Sequence, residues 1–265
     1  MRPVHVLNVF TDANDQAGNP LGIIGDVTGI TEARMQPIAT ELGFSETVFI
    51  DWRQGGVPSI RIFTPGNELP FAGHPLVGAA WYLNEMGPGA AGVNARSGYV
   101  EFGFEQGLTW ITAPSSVAVV ADAPDADQIC ADQGWDKPVA AHAVLMPRRY
   151  LLVDMGDASA IDSLEAKAGA MPIGPGEAMV YPYARSGNEL RSRAFVHAMG
   201  IPEDPATGSA ATAYATIRRQ EGEGVGDIWI RQGPRDSISE IRLIWDEDVI
   251  KLGGRVVKDR IVEID

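Results

Sequence analysis

The chain has 265 residues, a formal net charge of −14 and 45% hydrophobic residues. A chain of this length accommodates two lobes of roughly 100–150 residues each, and its hydrophobic fraction is that of an ordered globular protein. Because no stretch rich in Lys and Arg offsets the acidic surface, we expect neither nucleic acid nor an anionic membrane as a partner.

The N-terminal residues lack the apolar core of a signal peptide, and no apolar run approaches membrane-spanning length. These features predict a cytoplasmic protein. Cys130 is the only cysteine, so it forms no disulfide within the chain. A lone cysteine also excludes a mechanism that needs two thiols from the same chain.

The first half of the chain is predicted to alternate short strands with helices. Strands are expected at residues 4–10, 22–24, 47–50 and 59–63. A first helix is predicted to begin after Thr31 and to stop at Gly43, because the apolar residues between them recur at helical spacing: Met35, Ile38, Ala39 and Leu42. A loop at 64–73 then leads into a second helix at 75–86, with Pro in its first turn.

The second half repeats this order of elements. Strands are expected at residues 140–145, 150–154, 179–183, 192–196, 227–231 and 238–245. A first helix is predicted to be stopped by Gly169, with one apolar face formed by Ile161, Leu164 and Ala168, and a second helix is predicted at 207–218. Arg-Ile-Phe at 61–63 and Arg-Ala-Phe at 193–195 each precede a Pro-containing loop and a helix of small residues. This repeat indicates two homologous lobes.

Both second helices consist of small and apolar residues, which is typical of helices that are surrounded by protein. We therefore predict an α+β fold of two pseudo-symmetric lobes, each a curved, mostly antiparallel sheet rolled around a central helix. The N-terminal lobe is assigned to residues 1–116 and the C-terminal lobe to residues 117–253. Residues 254–265 are predicted to form a closing strand that returns to the N-terminal lobe.

The starts of these two helices are candidate ligand sites. The first N–H groups of a helix have no partner within it, and small residues let a ligand approach them closely. Two matched starts facing one cleft would bind a carboxylate and stabilise enolate-like charge. The alternative is purely structural, because Gly-rich helix starts are common and Asp204-Pro205 simply opens a helix well.

Glu46 is the candidate proton carrier, because apolar neighbours are expected to raise the pKa of its carboxyl towards a value useful for proton transfer. The alternative is a solvated glutamate at the edge of a strand. His74, at the first helix start, is expected to be a neutral imidazole that contacts substrate, or else a capping or core histidine. Glu68 precedes this start and either contributes to the site or holds the loop. Asp204 and Ser209 at the second start either bind polar substrate groups or cap the helix.

No spacing of His, Asp, Glu or Cys is typical of a metal site, and neither a P-loop nor a dinucleotide-binding motif is present. We therefore expect no metal and no cofactor, and side chains alone should perform any chemistry.

Four motifs carry a family resemblance. They are GNPL at residues 18–21, FSETVF at 44–49, FTP at 63–65 followed by ELPFAGHP at 68–75, and EDPATGSA at 203–210. In this order they resemble the PhzF-like phenazine-biosynthesis family, which shares the diaminopimelate epimerase fold, and the match spans essentially the whole chain. The resemblance implies two lobes with an active site between them, and a homodimer.

The resemblance also implies roles for individual residues. In the family, the glutamate that matches Glu46 transfers the proton during isomerisation of a dihydro-hydroxyanthranilate. Pocket-lining positions match Gly73, His74, Asp204 and Ser209. With further residues of the same motifs, the predicted substrate-binding set is Asn19, Gly73, His74, Asp204, Thr207, Gly208 and Ser209. The epimerase relatives use one cysteine at each helix start, and this chain has none there.

Two departures from the family pattern leave the substrate open. Leu76 stands where Thr is usual, and residues 232–237 lack the usual Gly-Arg-Pro-Ser form. The leading hypothesis is an isomerase of a small carboxylate-bearing molecule with Glu46 as general acid and base. The alternative is a non-catalytic protein that binds small aromatic acids. A hydrolase is less favoured, because Ser209 has no histidine base in its own motif.

Overall fold

The computed structural model describes residues 1–53, 55–87, 89–113, 119–146, 148–165, 177–196 and 202–265. The chain divides into two compact units, of which the first contains residues 1–114 and 251–265 and the second contains residues 115–250. The last strand of the chain thus belongs to the same unit as the first.

The first unit begins with ten elements in chain order. They are β1 (Arg2–Thr11), β2 (Asn19–Ile24), α1 (Glu32–Leu42), β3 (Glu46–Asp51), β4 (Ser59–Phe63), β5 (Glu68–Leu69), α2 (Gly73–Glu85), β6 (Gly92–Ala95), β7 (Gly98–Glu105) and β8 (Leu108–Ala113), counted over the described residues.

The remaining elements follow in chain order, with β9 to β15 in the second unit and nearly all of β16 in the first. The elements are β9 (Val119–Asp122), α3 (Ala126–Gln133), β10 (Ala140–Met146), β11 (Arg148–Asp154), α4 (Ala158–Ser163), β12 (Glu177–Ser186), β13 (Glu189–Ser192), α5 (Gly208–Gln220), β14 (Gly226–Gln232), β15 (Ser239–Trp245) and β16 (Ile250–Ile264).

The sheet of the first unit closes on itself around α2. Hydrogen-bonded neighbours follow the order β1-β2-β3-β4-β6-β7-β8-β16, and β16 also pairs with β1. The helix packs against β1, β2, β3 and β8, and its residues are largely buried. At Gly78 a Cβ atom would lie 2.3 Å from the Leu21 side chain. Only glycine therefore lets this helix approach the strands so closely.

The second unit follows the same principle. Its strands are ordered β15-β14-β13-β12-β11-β10-β9. Helix α5 packs against β15 at one end of this order and against β10 and β11 near the other, so the sheet curves around it. Most side chains of α5 are buried, as expected for a central helix. Parallel pairings occur at β11–β12 and β13–β14, and in the first unit at β2–β3 and β4–β6. The predicted α+β fold with sheets rolled around central helices is confirmed.

Several predicted elements differ from the structure in detail. Helix α2 begins at Gly73 and α5 ends at Gln220, so both helices are longer than predicted. Gly43 ends α1 in the left-handed conformation at φ 69°, as expected, but the side chain of Thr31 makes no capping hydrogen bond. The strand predicted at 192–196 lies earlier, at β13, because Gly187 at φ 61° turns the chain back onto β12.

Two predictions about helices in the second half were incomplete. Helix α4 ends at Ser163, and Ala168 and Gly169 lie outside the described residues. Helix α3 was not predicted, although the apolar spacing of Ala126, Ile129 and Cys130 is typical of one short buried face. Among the described residues, no helix is both long and apolar enough to cross a membrane.

Candidate active site

Glu46 lies where the chain enters a buried strand. It is the first residue of β3, opposite Leu21 of the parallel neighbour β2. The left-handed Gly43 ends α1 just before it, and the strand that follows is buried over its next four residues. The Glu46 side chain is only 15% exposed. Its carboxyl group is thus largely removed from water at the end of a rigid element.

His74 is the second residue of α2 and its side chain is only 4% exposed. Its Nδ1 lies 3.0 Å from Oε2 of Glu46. Its Nε2 lies 3.0 Å from the backbone carbonyl oxygen of Asn19. The imidazole therefore links the starts of β2, β3 and α2, which are far apart in sequence.

The protons of this pair follow from the available acceptors. The Asn19 carbonyl can only accept, so Nε2 of His74 carries a proton and donates it. One further proton lies between Nδ1 and Oε2 of Glu46. This hydrogen bond can have the proton on Nδ1, with Oε2 accepting, or on Oε2, with Nδ1 accepting. The pair is thus built to hold a proton on either partner.

The pKa of Glu46 is lowered from its ordinary value. Burial, the largest single effect, raises the pKa of the carboxyl. The hydrogen bond and the charge of His74, with a smaller contribution from Ser45, together outweigh burial. The expectation of a raised pKa was therefore wrong, because apolar neighbours in the sequence did not reveal the imidazole. Glu46 is ionised in the resting pair and is ready to accept a proton.

Asn19 and Ser45 complete this cluster. Ser45 Oγ donates to the side-chain oxygen Oδ1 of Asn19 over 2.9 Å. Gly18 precedes Asn19 at φ 84°, and a Cβ there would lie 2.9 Å from the carbonyl oxygen of Val9. The glycine of the GNPL motif thus sets the turn that presents the Asn19 carbonyl to His74. Ser45 was not predicted as a site residue, although it lies in the same motif as Glu46.

A second polar network surrounds the start of α5. Thr207 Oγ1 donates to Asp204 Oδ2 over 2.6 Å. Gln232, the last residue of β14, donates from Nε2 to Thr207 Oγ1 and to the Asp204 carbonyl, each over 2.8 Å. Its Oε1 accepts from the Thr207 N–H over 3.1 Å. Gln232 was named in the sequence only as the start of a divergent loop, and its role in this network was missed.

The remaining predicted site residues lie in the first turns of the two central helices. Gly73 is the first residue of α2, and Gly208 and Ser209 are the first two of α5. Neither N-cap residue, Ala72 or Thr207, uses its side chain as a cap. The first-turn N–H groups of a helix are where an anion binds best, and in α2 and α5 no N-cap side chain accepts a hydrogen bond from them.

Other chemistries find less support. Among the described residues, no group of three or more His, Cys, Asp or Glu is arranged to hold a metal ion. Cys130 lies in the hydrophobic core of the second unit, where burial, aided by Asp127, raises the pKa of its thiol to about 11. Both ring nitrogens of His74 are occupied by Glu46 and Asn19, so this histidine is not arranged as the base of a serine nucleophile.

A sheet rolled around one buried helix is the arrangement of an epimerase-like fold, and here a carboxylate and an imidazole lie at the start of that helix. The crystal structure of a PhzF-family phenazine biosynthesis protein from Bacillus anthracis has this fold. It matches 99% of this chain and 98% of its own with a TM-score of 0.84 and 22% sequence identity.

Residues 7–241 match the model of the PhzC-PhzF family, described as phenazine biosynthesis-like protein. The chain belongs to this family of isomerases. It is 34% identical to the trans-2,3-dihydro-3-hydroxyanthranilate isomerase of Pseudomonas aeruginosa over 75% of this chain and 73% of that protein. It is 28% identical to an uncharacterised isomerase of Pasteurella multocida over 96% of this chain and 90% of that protein.

Proposed function

We propose that this protein is a metal- and cofactor-independent isomerase that moves a proton between carbon atoms of a small carboxylate-bearing molecule, with Glu46 as general base and then general acid. The observation that carries the proposal is the buried contact of 3.0 Å between Glu46 and His74. It keeps the carboxyl ionised, out of bulk water and next to a proton donor, which is what a reversible proton carrier needs.

The proposed reaction needs no other reagent. Glu46 takes a proton from a carbon that is acidified by a neighbouring unsaturated or carboxyl-bearing centre. The C–H bond breaks, an O–H bond forms on Glu46, and the electron pair spreads into the unsaturated system. The same O–H bond then breaks as a new C–H bond forms at another carbon. Atoms and electrons balance within the substrate, so the product is an isomer.

His74 stabilises the Glu46 carboxyl group through its hydrogen bond. Its Nδ1–H stabilises the carboxylate before the first transfer. After the transfer the new proton lies on Glu46 Oε1, and Oε2 still accepts from Nδ1–H, while Nε2–H remains fixed on Asn19. The pair thus tolerates both protonation states of Glu46 without moving the imidazole, and preorganisation of this kind lowers the cost of charge changes during a reaction.

The predicted substrate-binding residues remain proposals. They are Asn19, Gly73, His74, Asp204, Thr207, Gly208 and Ser209. We propose that first-turn amides of the central helices bind the substrate carboxylate. The first compound to test is trans-2,3-dihydro-3-hydroxyanthranilate, because it is named as the substrate of the relative in Pseudomonas aeruginosa. A homodimer in the cytoplasm remains a prediction from the sequence.

Solvent deuterium tests the role of Glu46. Glu46→Gln should slow isomerisation and deuterium uptake by about 10²–10⁴-fold, the usual contribution of a positioned acid–base group. The control is Glu41→Gln, at an exposed position of α1, which should behave as wild type. Label entering the product of Glu46→Gln at the wild-type rate would show that another group carries the proton.

A second candidate function is a non-catalytic binder of small aromatic acids. One observation favours it: the chain of hydrogen bonds from Glu46 through His74 to Asn19 ties three elements together, as a purely structural carboxylate would. Calorimetry with 3-hydroxyanthranilate, which has an aromatic ring and no proton to move, separates the two functions. Tight binding of such acids without turnover of any dihydro compound supports the binder.

A further inference from the structure

An arginine and a glutamate form a bidentate ion pair beside the loop that leads into α2. Arg61 Nε lies 2.7 Å from Glu68 Oε1, and Arg61 Nη2 lies 2.8 Å from Glu68 Oε2. Glu68 is paired with Phe63 across the antiparallel β4–β5 contact. The guanidinium carbon of Arg61 lies 5.1 Å from the centre of the Phe63 ring.

The second unit contains the same arrangement beside the loop that leads into α5. Arg193 Nε lies 2.5 Å from Glu203 Oε1, and Arg193 Nη2 lies 2.6 Å from Glu203 Oε2. Glu203 forms an antiparallel bridge with Phe195. The guanidinium carbon of Arg193 lies 5.2 Å from the centre of the Phe195 ring.

Strand geometry explains why each trio assembles. Arg61 and Phe63 are two apart on β4 and therefore share a face. Arg193 and Phe195 are two apart just beyond β13, where their N–H groups donate to the Pro182 and Val180 carbonyls of β12 and keep the chain extended. The glutamate opposite each phenylalanine projects to the same face, within reach of the guanidinium fork. In the first unit the side chains of Arg61 and Glu68 are 22% and 19% exposed, and in the second those of Arg193 and Glu203 are 10% and 18% exposed. These pairs are therefore shielded from much of the solvent.

Each arginine–glutamate pair lies at the same distance along the chain before its central helix. Glu68 lies five residues before Gly73, the first residue of α2, and Glu203 lies five residues before Gly208, the first residue of α5. Strand pairing is short at both places, since β5 has two residues and Glu203 forms one isolated bridge. The side-chain fork adds a restraint to the hydrogen bonds that each loop already makes, which include Arg96 to Glu68 in the first unit and Gln232 to Asp204 in the second.

We infer that Arg61–Glu68 and Arg193–Glu203 are positioning pairs that hold the two loops bearing the proposed active-site residues. This inference rests on the proposed function in so far as that function gives the loops their purpose. The first pair fixes the segment that ends in His74, and the second fixes the segment that contains Asp204 and Thr207. None of these four residues is required to touch the substrate.

Charge-conserving substitutions test the inference, because lysine keeps the charge of arginine and loses the two-pronged fork. Arg61→Lys and Arg193→Lys are the test variants. Arg185→Lys is the matched control, because Arg185 forms an equally bidentate pair with Glu223, at 2.7 and 2.8 Å, beyond the opposite end of α5. Arg53→Lys is the control in the first unit, at an exposed bidentate pair with Asp51.

For the first pair, NMR measures hydrogen exchange of the Ser97 and Asn67 amides, which donate to the Pro70 carbonyl oxygen and to Thr64 Oγ1. Arg61→Lys should speed exchange at both by about tenfold, equivalent to about 1.4 kcal/mol of local opening. Arg53→Lys should not. Exchange within twofold of this control overturns the inference for the first pair. If this variant does not fold, Glu68→Asp keeps the charge, shortens the reach and is read in the same way.

For the second pair, NMR measures hydrogen exchange of the Asp204 and Thr207 amides, which donate to Ala194 O and Gln232 Oε1. Arg193→Lys should speed exchange at both by about tenfold, equivalent to about 1.4 kcal/mol of local opening. Arg185→Lys should not. Exchange within twofold of the control overturns the inference, and Glu203→Asp replaces Arg193→Lys if that variant does not fold.

The kinetic readout separates positioning from a merely structural role. With trans-2,3-dihydro-3-hydroxyanthranilate, Arg193→Lys should raise KM several-fold and leave kcat unchanged, because Asp204 and Thr207 are proposed to bind substrate. Faster exchange with an unchanged KM would show that the pair only stabilises the fold. If the wild-type protein does not turn this compound over, the substrate proposal fails, while the NMR measurements still decide whether the pairs hold their loops.

Discussion

Glu46 and His74 are 28 residues apart in the chain, yet Oε2 of one lies 3.0 Å from Nδ1 of the other. Glu46 is held at the start of β3 and His74 in the first turn of α2. The imidazole is fixed from its other side by the Asn19 carbonyl. The carboxyl is therefore kept ionised by a partner that itself cannot turn away without losing a hydrogen bond.

Removing His74 should reverse the direction of the Glu46 pKa shift. His74→Leu removes the hydrogen bond and the charge that lower this pKa and leaves burial, which raises it. In the wild-type protein Glu46 should stay ionised to below pH 4.5, its ordinary pKa. In the variant it should take up its proton above that value. The carboxyl ¹³C shift of Glu46, followed against pH, measures both.

The pH dependence of the free energy of unfolding should follow from the direction of the Glu46 pKa shift. A lowered folded-state pKa stabilises the protein above the unfolded-state value, and the stabilisation is lost as pH falls through the folded-state pKa. In His74→Leu, where the folded-state pKa is raised, the ionised Glu46 instead destabilises the protein at neutral pH, and this penalty is relieved as pH falls through that pKa. His142→Leu is the control, since His142 contacts Glu221 in the second unit and should leave Glu46 unchanged. A Glu46 titration that is the same in His74→Leu and wild type would contradict the assigned cause.

Gln232→Leu should destabilise the protein and weaken substrate binding together. The change leaves the buried Thr207 N–H without its side-chain acceptor, which costs about 1–3 kcal/mol in the free energy of unfolding. It also removes the donor that orients Thr207 Oγ1 towards Asp204. Urea denaturation and KM measure the two effects. Gln128→Leu, at an exposed hydrogen bond on α3, should change neither, and equal effects of both variants would count against the network.

Gly78→Ala should destabilise the first unit by overpacking. The new methyl group would lie 2.3 Å from Leu21 Cδ2 and 2.9 Å from Val9 Cγ2, so α2 must shift away from the sheet. Such overpacking costs about 1–3 kcal/mol. Gly66→Ala is the control, since a Cβ there has no heavy atom within 4 Å. Chemical denaturation compares the two, and equal stability would show that α2 packs less closely than the structure indicates.

Cys130 should not contribute to catalysis. Its thiol is buried and its pKa is raised to about 11, so little thiolate exists at neutral pH. The native protein should resist N-ethylmaleimide and keep its activity, and the thiol should react once urea unfolds the chain. Cys130→Ala should retain wild-type kcat. Loss of activity on thiol modification of the folded protein would contradict this.

Sequence patterns predicted the helices and strands well where their formation depends on residues that are close in the chain. Gly43 ends α1 as expected, and the small residues of α2 and α5 indicated buried central helices. The repeat of Arg-x-Phe before each loop was visible in the sequence as well. The shifted strand β13 and the unpredicted α3 were missed because short elements depend on tertiary pairing, which local propensity does not encode.

The sequence by itself determined the residues of the candidate site and their order along the chain, since these lie in contiguous motifs. Tertiary structure alone decided their chemistry. The pKa of Glu46 depends on an imidazole supplied 28 residues away, and Thr207 is oriented by Gln232, 25 residues further on. Electrostatic and hydrogen-bond energies depend on distances in space, so only the folded chain shows that Glu46 rests as a carboxylate.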